Sequence, residues 1–250
     1  MRKLLSAIAA GIILAGAASV SASTPGADAV ANAAAIADAG RPAADSARDG
    51  DRKPLEMLAL AGVHPGMSVA ELLPGAGYFT RIFSKAVGPT GKVYAIISAQ
   101  PSANPPPVNA IAADPAYSNV TVILAPFTAL PVPQPVDLVW TSQNYHDLHL
   151  ARLNLDVAAV NKAVLNALKP GGLYVIVDHS AAAGAPVTVA DTLHRIDQAI
   201  VRREVEAAGF VFVSESDALR NPADDRSKLV FDPAIRGHTD QFVMVFRKPG

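Results

Sequence analysis

From Met67 onward, short apolar runs rich in valine and isoleucine alternate with longer stretches whose apolar positions recur at helical spacing. That alternation predicts βαβ units and a mostly parallel sheet. Strands are expected over 68–72, 92–97, 120–124, 136–140 and 173–178, each apolar enough to be covered on both faces. Helices are expected over 78–87, over 156–168 closed by Lys169-Pro170-Gly171-Gly172, and over 191–208 closed by Gly209. On the last of these, Leu193, Ile196 and Ile200 make the apolar stripe. Helical spacing there sets His194 and Asp197 on one face and lets Asp191 pair with Arg195. The tail breaks the rhythm: 210–215 and 241–248 read as two strands joined by the long polar stretch 216–240, an antiparallel pair at the sheet edge.

Upstream, 54–62 reads as a helix opened by Pro54 and closed by Gly62, with charged residues gathered just before it over 48–53. The alanine-rich stretch 23–50, broken by Pro25, Gly40 and Pro42, reads as an arm or linker. At the start, Arg2 and Lys3 precede an apolar run that ends in the small residues Val20-Ser21-Ala22, the pattern of a secretory signal peptide. A membrane-spanning helix needs about 20 strongly apolar residues. This run is shorter and is diluted by alanine, glycine and serine. The expected organisation is a signal peptide over 1–22, an arm over 23–50 and one Rossmann-like domain over 51–250, exported to the periplasm or beyond with no integral membrane segment after cleavage.

Lysine and arginine (21) nearly balance aspartate and glutamate (22), so no global field draws the chain to a nucleic acid. A small molecule is the expected partner, with the oligomeric state open. Cysteine is absent, which removes disulfides, thiolate metal sites, cysteine nucleophiles and a lipidated cysteine after the signal.

The first candidate site is Glu71-Leu-Leu-Pro-Gly75-Ala-Gly77-Tyr78, which follows an expected strand and opens an expected helix. In that context glycines let a ligand approach the backbone and the helix N-terminus. Asp137-Leu-Val-Trp140, Leu168-Lys-Pro-Gly-Gly172 followed by a strand, and the final strand pair come further along the chain. Over 54–250 the chain resembles class I S-adenosylmethionine-dependent methyltransferases. Asn144-Tyr-His-Asp147, Val177-Asp-His-Ser180, Leu193-His-Arg-Ile-Asp197 and Gly237-His-Thr-Asp-Gln-Phe242 are similar to a group of uncharacterised bacterial methyltransferases. The resemblance implies an α/β, Rossmann-like fold: a mostly parallel seven-stranded sheet with helices on both faces and an antiparallel C-terminal strand pair. It also implies S-adenosyl-L-methionine as cofactor, with Glu71, Gly75, Gly77, Tyr78 and Ser98 at its site. Three positions depart from the family. Leu73 stands for the first glycine of the turn, Ile97-Ser98-Ala99 lacks the acid that holds the ribose, and Pro126 replaces the acid that often holds the adenine amine.

Histidine makes the second constellation. Of six histidines, His146, His149 and His179 lie just after expected strands four and five, where open α/β sheets bind ligands. A neutral imidazole there can take a proton from a hydroxyl or amine, so His146, Asp147 and His179 are the catalytic candidates. Asn144, Tyr145, His194, Arg236 and His238 are the substrate-binding candidates. The leading reading is methyl transfer to a small molecule without a metal. A metal-assisted hydrolase or lyase using His146, His149, His179 and nearby aspartates, and a non-catalytic small-ligand binder, are the alternatives. N-terminal sequencing of the exported protein is expected to begin at Ser23. A sequence beginning at Met1 would refute cleavage.

Overall fold

Residues 25–99 and 104–250 are described by the computed structural model, so the expected signal peptide over 1–22 lies outside the described residues. The strands are β1 (Ser68–Leu72), β2 (Lys92–Ser98), β3 (Val120–Ala125), β4 (Val136–Ser142), β5 (Leu168–His179), β6 (Val211–Ser216) and β7 (Gln241–Arg247). The helices are α1 (Pro25–Ile36), α2 (Ala43–Ser46), α3 (Asp49–Arg52), α4 (Pro54–Leu60), α5 (Tyr78–Val87), α6 (Val108–Ala112), α7 (Val157–Ala167), α8 (Val189–Leu193) and α9 (Gln198–Ala207). The strands form one seven-stranded sheet in the order β3-β2-β1-β4-β5-β7-β6. Only β7 runs against its neighbours, pairing antiparallel with both β5 and β6.

Alternation along the inner strands divides the core in two. Val69, Leu138, Trp140, Val175 and Val177 face one apolar cluster, with Met57, Leu58, Phe79 and Phe83 of α4 and α5. Ala70, Val139, Tyr174 and Ile176 face the other, with Val160 and Val164 of α7 and Val201 and Val205 of α9. Successive strand residues point to opposite faces, so inner strands apolar at nearly every position need helices on both sides. Gly77 opens α5, while the side chain of Asp156 accepts from Ala159 N at the start of α7.

The expected helix 191–208 is broken in two. His194 ends α8 in a left-handed conformation (φ 52°), and Ile196 forms a parallel bridge with Ser180 beside the end of β5. Asp197 therefore does not share a helical face with His194; it caps α9 through Ala199 N. Asp191 accepts from Ala151 N and Arg195 pairs elsewhere, so the expected Asp191–Arg195 pair does not form. Local propensity favours one helix, but the two β-type hydrogen bonds around Ile196 require the extended backbone.

Residues 25–50, read from sequence as an arm or linker, are docked. α1 packs on α4 and α5, Asn32 donates to Val63 O, and Asp45 pairs with Arg81 of α5 at 2.9 Å. At the other end of the chain, the long 217–240 connection is fastened by Arg195, whose side chain is fully buried. Its guanidinium grips both carboxylate oxygens of Asp224 at 2.8 and 3.1 Å and donates to Ser180 O and Lys228 O. Removing one partner of such a pair strands a buried charge. Asp224→Ala should lose about 3–5 kcal/mol in urea denaturation, and Arg195→Met/Asp224→Leu should recover most of it. A midpoint unchanged by Asp224→Ala would show that the pair does not hold the connection.

Candidate active site

Strand order reverses between β1 and β4, the place where open α/β sheets leave a crevice at the strands' carboxyl ends. The turn leaving β1 forms one wall. Leu73 has φ 53°, a conformation that glycine adopts without penalty and leucine rarely does. It is held by bonds from both sides: Leu73 N donates to Ile96 O, and Asn144 Nδ2 donates to Leu73 O and to Ser142 O. Gly77 combines a positive φ of 81° with close packing, because a Cβ there would run into Ile111 Cδ1.

Two cavities share Leu73, Asp147 and Arg152 as walls. One, of about 580 Å³, is largely apolar and lies between Ser98, Pro126, Phe127, Leu148 and Leu155. The other, of about 440 Å³, is polar, lined by Arg48, Arg52, Glu71, Gly75, Tyr78, Asn144, His146, His179 and His194 and bordered by Val230 and Phe231 of the 217–240 connection.

At the floor of the polar cavity the Thr80 hydroxyl donates to the Glu71 carboxyl at 2.5 Å. Burial pushes the Glu71 pKa up to about 8, overriding the Thr80 hydrogen bond and the charge of Arg52. The guanidinium of Arg52 lies 4.3 Å from the Tyr78 ring centre and 4.8 Å from that of Phe79, and donates to Ser142 Oγ. Burial, and then the like charge of Arg48, lower its pKa to about 10, which leaves it a cation at neutral pH. Tyr78 is fixed in turn by donating to Asp49, which also pairs with Arg41.

Opposite stands an Asp–His pair. The fully buried Asp178 carboxylate accepts from His146 N at 2.6 Å, His146 Nδ1 at 2.8 Å and His179 N at 2.7 Å. A carboxylate can only accept, so His146 carries its proton on Nδ1 and leaves the Nε2 lone pair free to accept. His194 Nδ1 lies 3.2 Å from that nitrogen and Asp147 Oδ1 3.4 Å from it. Burial lowers the His146 pKa, but the charge and hydrogen bond of Asp178 together raise it above the ordinary value. Burial takes His179 down to about 4 despite Asp178, so it is neutral while its Nδ1 meets Thr239 Oγ1. Asp147 is raised by burial.

Glu71, Gly75, Tyr78, Asn144, His146, Asp147, His179 and His194 thus line the polar cavity, and Ser98 lines the apolar one. Four expected site residues do not join them. Gly77 lines neither cavity, and its positive φ is what calls for glycine there. Tyr145 turns into the core beneath, its hydroxyl donating to Glu204 and accepting from Asn161. Arg236 is exposed on the 217–240 connection, away from both cavities. His238 sits at a separate shallow surface pocket, 3.2 Å from Asp51. His149, a candidate ligand of the metal alternative, instead meets Glu204 of α9 at 3.0 Å. Sequence reading missed Arg48, Arg52, Arg152 and Phe231. The charged cluster over 48–53, abrupt after an alanine-rich stretch, is the one signal that marked the first two.

No family model matches the chain, and neither does any curated protein. Solved structures do. An S-adenosylmethionine-dependent methyltransferase from Aquifex aeolicus aligns with a TM-score of 0.58 at 20% identity, over 86% of this chain and 97% of its own. The N-methyltransferase NodS from Bradyrhizobium japonicum aligns with a TM-score of 0.55 at 13% identity, over 82% and 99%. The chain has the class I methyltransferase fold. The [4+2]-cyclase SpnF is similar to it as well, with a TM-score of 0.55 at 18% identity over 85% of each chain. The fold therefore leaves the reaction to be argued from the side chains.

Glu71 makes a measurable signature of this site. Its folded-state pKa is raised from 4.5 to about 8, so the unfolded chain ionises first. The stability it contributes is complete below pH 4.5 and is lost as pH rises toward 8. Glu71→Gln should match the parent near pH 4.5 and exceed it by up to about 5 kcal/mol at pH 8 in urea titrations. Parallel pH profiles would show that Glu71 ionises normally in the fold.

Proposed function

We propose that this chain is an S-adenosylmethionine-dependent methyltransferase acting on a small molecule. The observation that carries the reading is the joining of an apolar cavity and a polar cavity at Leu73, Asp147 and Arg152, over the strand ends where this fold leaves its crevice. The two lobes suit the two halves of the cofactor. Pro126, Phe127 and Leu148 would hold the adenosine, with Ser98 at the end of β2 in the same lobe. The amino-acid end fits the polar lobe, where Glu71 faces an ammonium and Arg48 and Arg52 supply planar cations for a carboxylate. At Gly75 the space a Cβ would occupy is open, so the turn leaves room for a ligand against its backbone.

When bound, the cofactor supplies an electrophilic methyl group on a sulfonium. The chain's own part is alignment and proton handling, and alignment alone can supply about 7–11 kcal/mol of a barrier. His146 lines the same lobe with Nδ1 held by Asp178, and an acceptor hydroxyl or amine that displaces the His194 hydrogen bond at Nε2 would give up its proton there. Phe231, half exposed at the rim and 5.0 Å from the His194 ring, offers an apolar face to the acceptor. Action outside the cytoplasm is part of the proposal on the strength of the residue 1–22 pattern. No helix among the described residues is long and apolar enough to cross a membrane.

Calorimetry of chelator-treated protein tests the cofactor. S-adenosylhomocysteine should bind, and near pH 7 it should release a proton, because its ammonium draws the carboxyl of Glu71 back to the charged form. In Glu71→Gln the proton release should vanish and affinity should fall about 10–100-fold, the loss of one charged hydrogen bond. Absence of binding by both the cofactor and its product would overturn the proposal.

A further inference from the structure

We propose that His146, Asp147 and His194 form a zinc site at the acceptor end of the cleft, and that its open position takes the acceptor's heteroatom. This deepens the methyl-transfer reading and rests on it only for the identity of the fourth ligand.

The geometry rests on three atoms. His146 Nε2 and His194 Nδ1 are 3.2 Å apart, His146 Nε2 and Asp147 Oδ1 3.4 Å, and His194 Nδ1 and Asp147 Oδ1 3.6 Å. The three atoms lie on a circle of radius about 2.0 Å, so a point about 0.7 Å above their plane is about 2.1 Å from each, and tetrahedral zinc sites have bonds of about 2.0–2.2 Å to imidazole nitrogen and carboxylate oxygen, hence ligand–ligand edges of about 3.3–3.6 Å. The three atoms therefore already form one face of a zinc tetrahedron. Two imidazoles with one carboxylate also disfavour calcium and magnesium, which prefer oxygen ligands.

Asp178 accepts the Nδ1 proton of His146, the carboxylate–histidine arrangement that orients a metal-bound imidazole and raises its basicity. Only Asp178 is wholly buried and committed to hydrogen bonds. Asp147 and His194 keep 28% and 24% of their side-chain surface exposed, which leaves an entry path. Without metal, His194 Nδ1 donates its proton to His146 Nε2. Binding requires only that this proton move to His194 Nε2, so the site fills without a net change in imidazole charge. All three residues line the polar cavity, and three protein ligands with one position open is the composition of catalytic rather than structural zinc sites.

With zinc bound, His146 acts as a ligand. A thiol or hydroxyl acceptor then loses its proton to solvent as sulfur or oxygen becomes the fourth ligand. Its lone pair next forms the bond to the methyl carbon while the methyl–sulfur bond breaks, the electron pair staying on the cofactor sulfur. The base role of His146 belongs to the metal-free form.

The test uses chelator-treated mature protein titrated with zinc, and separately with cobalt(II). One equivalent of zinc should bind, and cobalt should give the intense visible bands of tetrahedral coordination. His194→Gly removes a ligand at a backbone position that glycine favours, so it keeps the fold; it should abolish both signals. Asp178→Asn should weaken zinc binding about 10–100-fold. His238→Ala, which removes an exposed histidine away from the cleft, should change neither. Absence of one-equivalent binding, or a His194→Gly protein that binds as the parent does, would overturn the zinc site. S-adenosylhomocysteine binding in the metal-free protein is read independently, so zinc binding without it would uphold the site and defeat the methyl-transfer reading.

Discussion

A carboxylate with no exposed surface, one residue from the end of β5, organises the functional end of this molecule. Asp178 is compensated by three N–H donors, two from His146 and one from the residue that follows it. A buried charge is tolerated only with such a shell, so the shell has little freedom to rearrange. The loop after β4 is therefore pinned to the end of β5 at the spot where its imidazole enters the cleft. The same carboxylate selects the tautomer of His146, and His179 carries the constraint on to Thr239 beside β7. One interaction thus decides both where the ring stands and which of its nitrogens meets a ligand.

Around that point the site is assembled from pieces far apart in the chain. The glycine turn, the loop after β4 and the end of β5 come from the sheet itself, whose two apolar faces leave little choice of position. The arginines come from the docked N-terminal stretch, and the rim comes from the 217–240 connection held by Arg195. Parts that meet common chemical needs lie on the rigid sheet, and parts that would distinguish one acceptor from another lie on the added segments. Phe231, with half its surface exposed beside His194, belongs to the second kind.

The inner strands were legible because their burial is nearly continuous, and β1 and α5 have the bounds their sequence patterns suggest; β3, expected to be covered on both faces, instead exposes Thr121 and Leu124 at the sheet edge, and β6 is nowhere fully buried. Legibility failed where a distant contact overrode a local preference. Nothing near His194 announces a left-handed residue, since the bridge between Ile196 and Ser180 exists only once β5 is in place. Tyr145 was expected in the cleft because its neighbours are there. Asn144 and His146 do line it, but the 3-10 turn at His146–His149 sends the intervening ring to the opposite side. Leu73 occupies a glycine conformation that bonds from Asn144, 71 residues away, help to hold. Arg48 lies at the end of the segment whose composition suggested a linker and Arg52 just beyond it, and their place becomes visible only when Tyr78 supplies a surface to stack on.

The docked N-terminal stretch also imposes an order in time. Its anchors lie well downstream: Asp45 pairs with Arg81, and Arg52 reaches Ser142, 90 residues further along. During synthesis these first segments have nothing to hold until α5 and β4 have been made and paired. Closing so long a loop draws on chain entropy that only a formed sheet can offset. The stretch that docks is therefore made before the surface it docks on, and Arg48 and Arg52 have their partners Tyr78 and Ser142 only where α5 and β4 are in place.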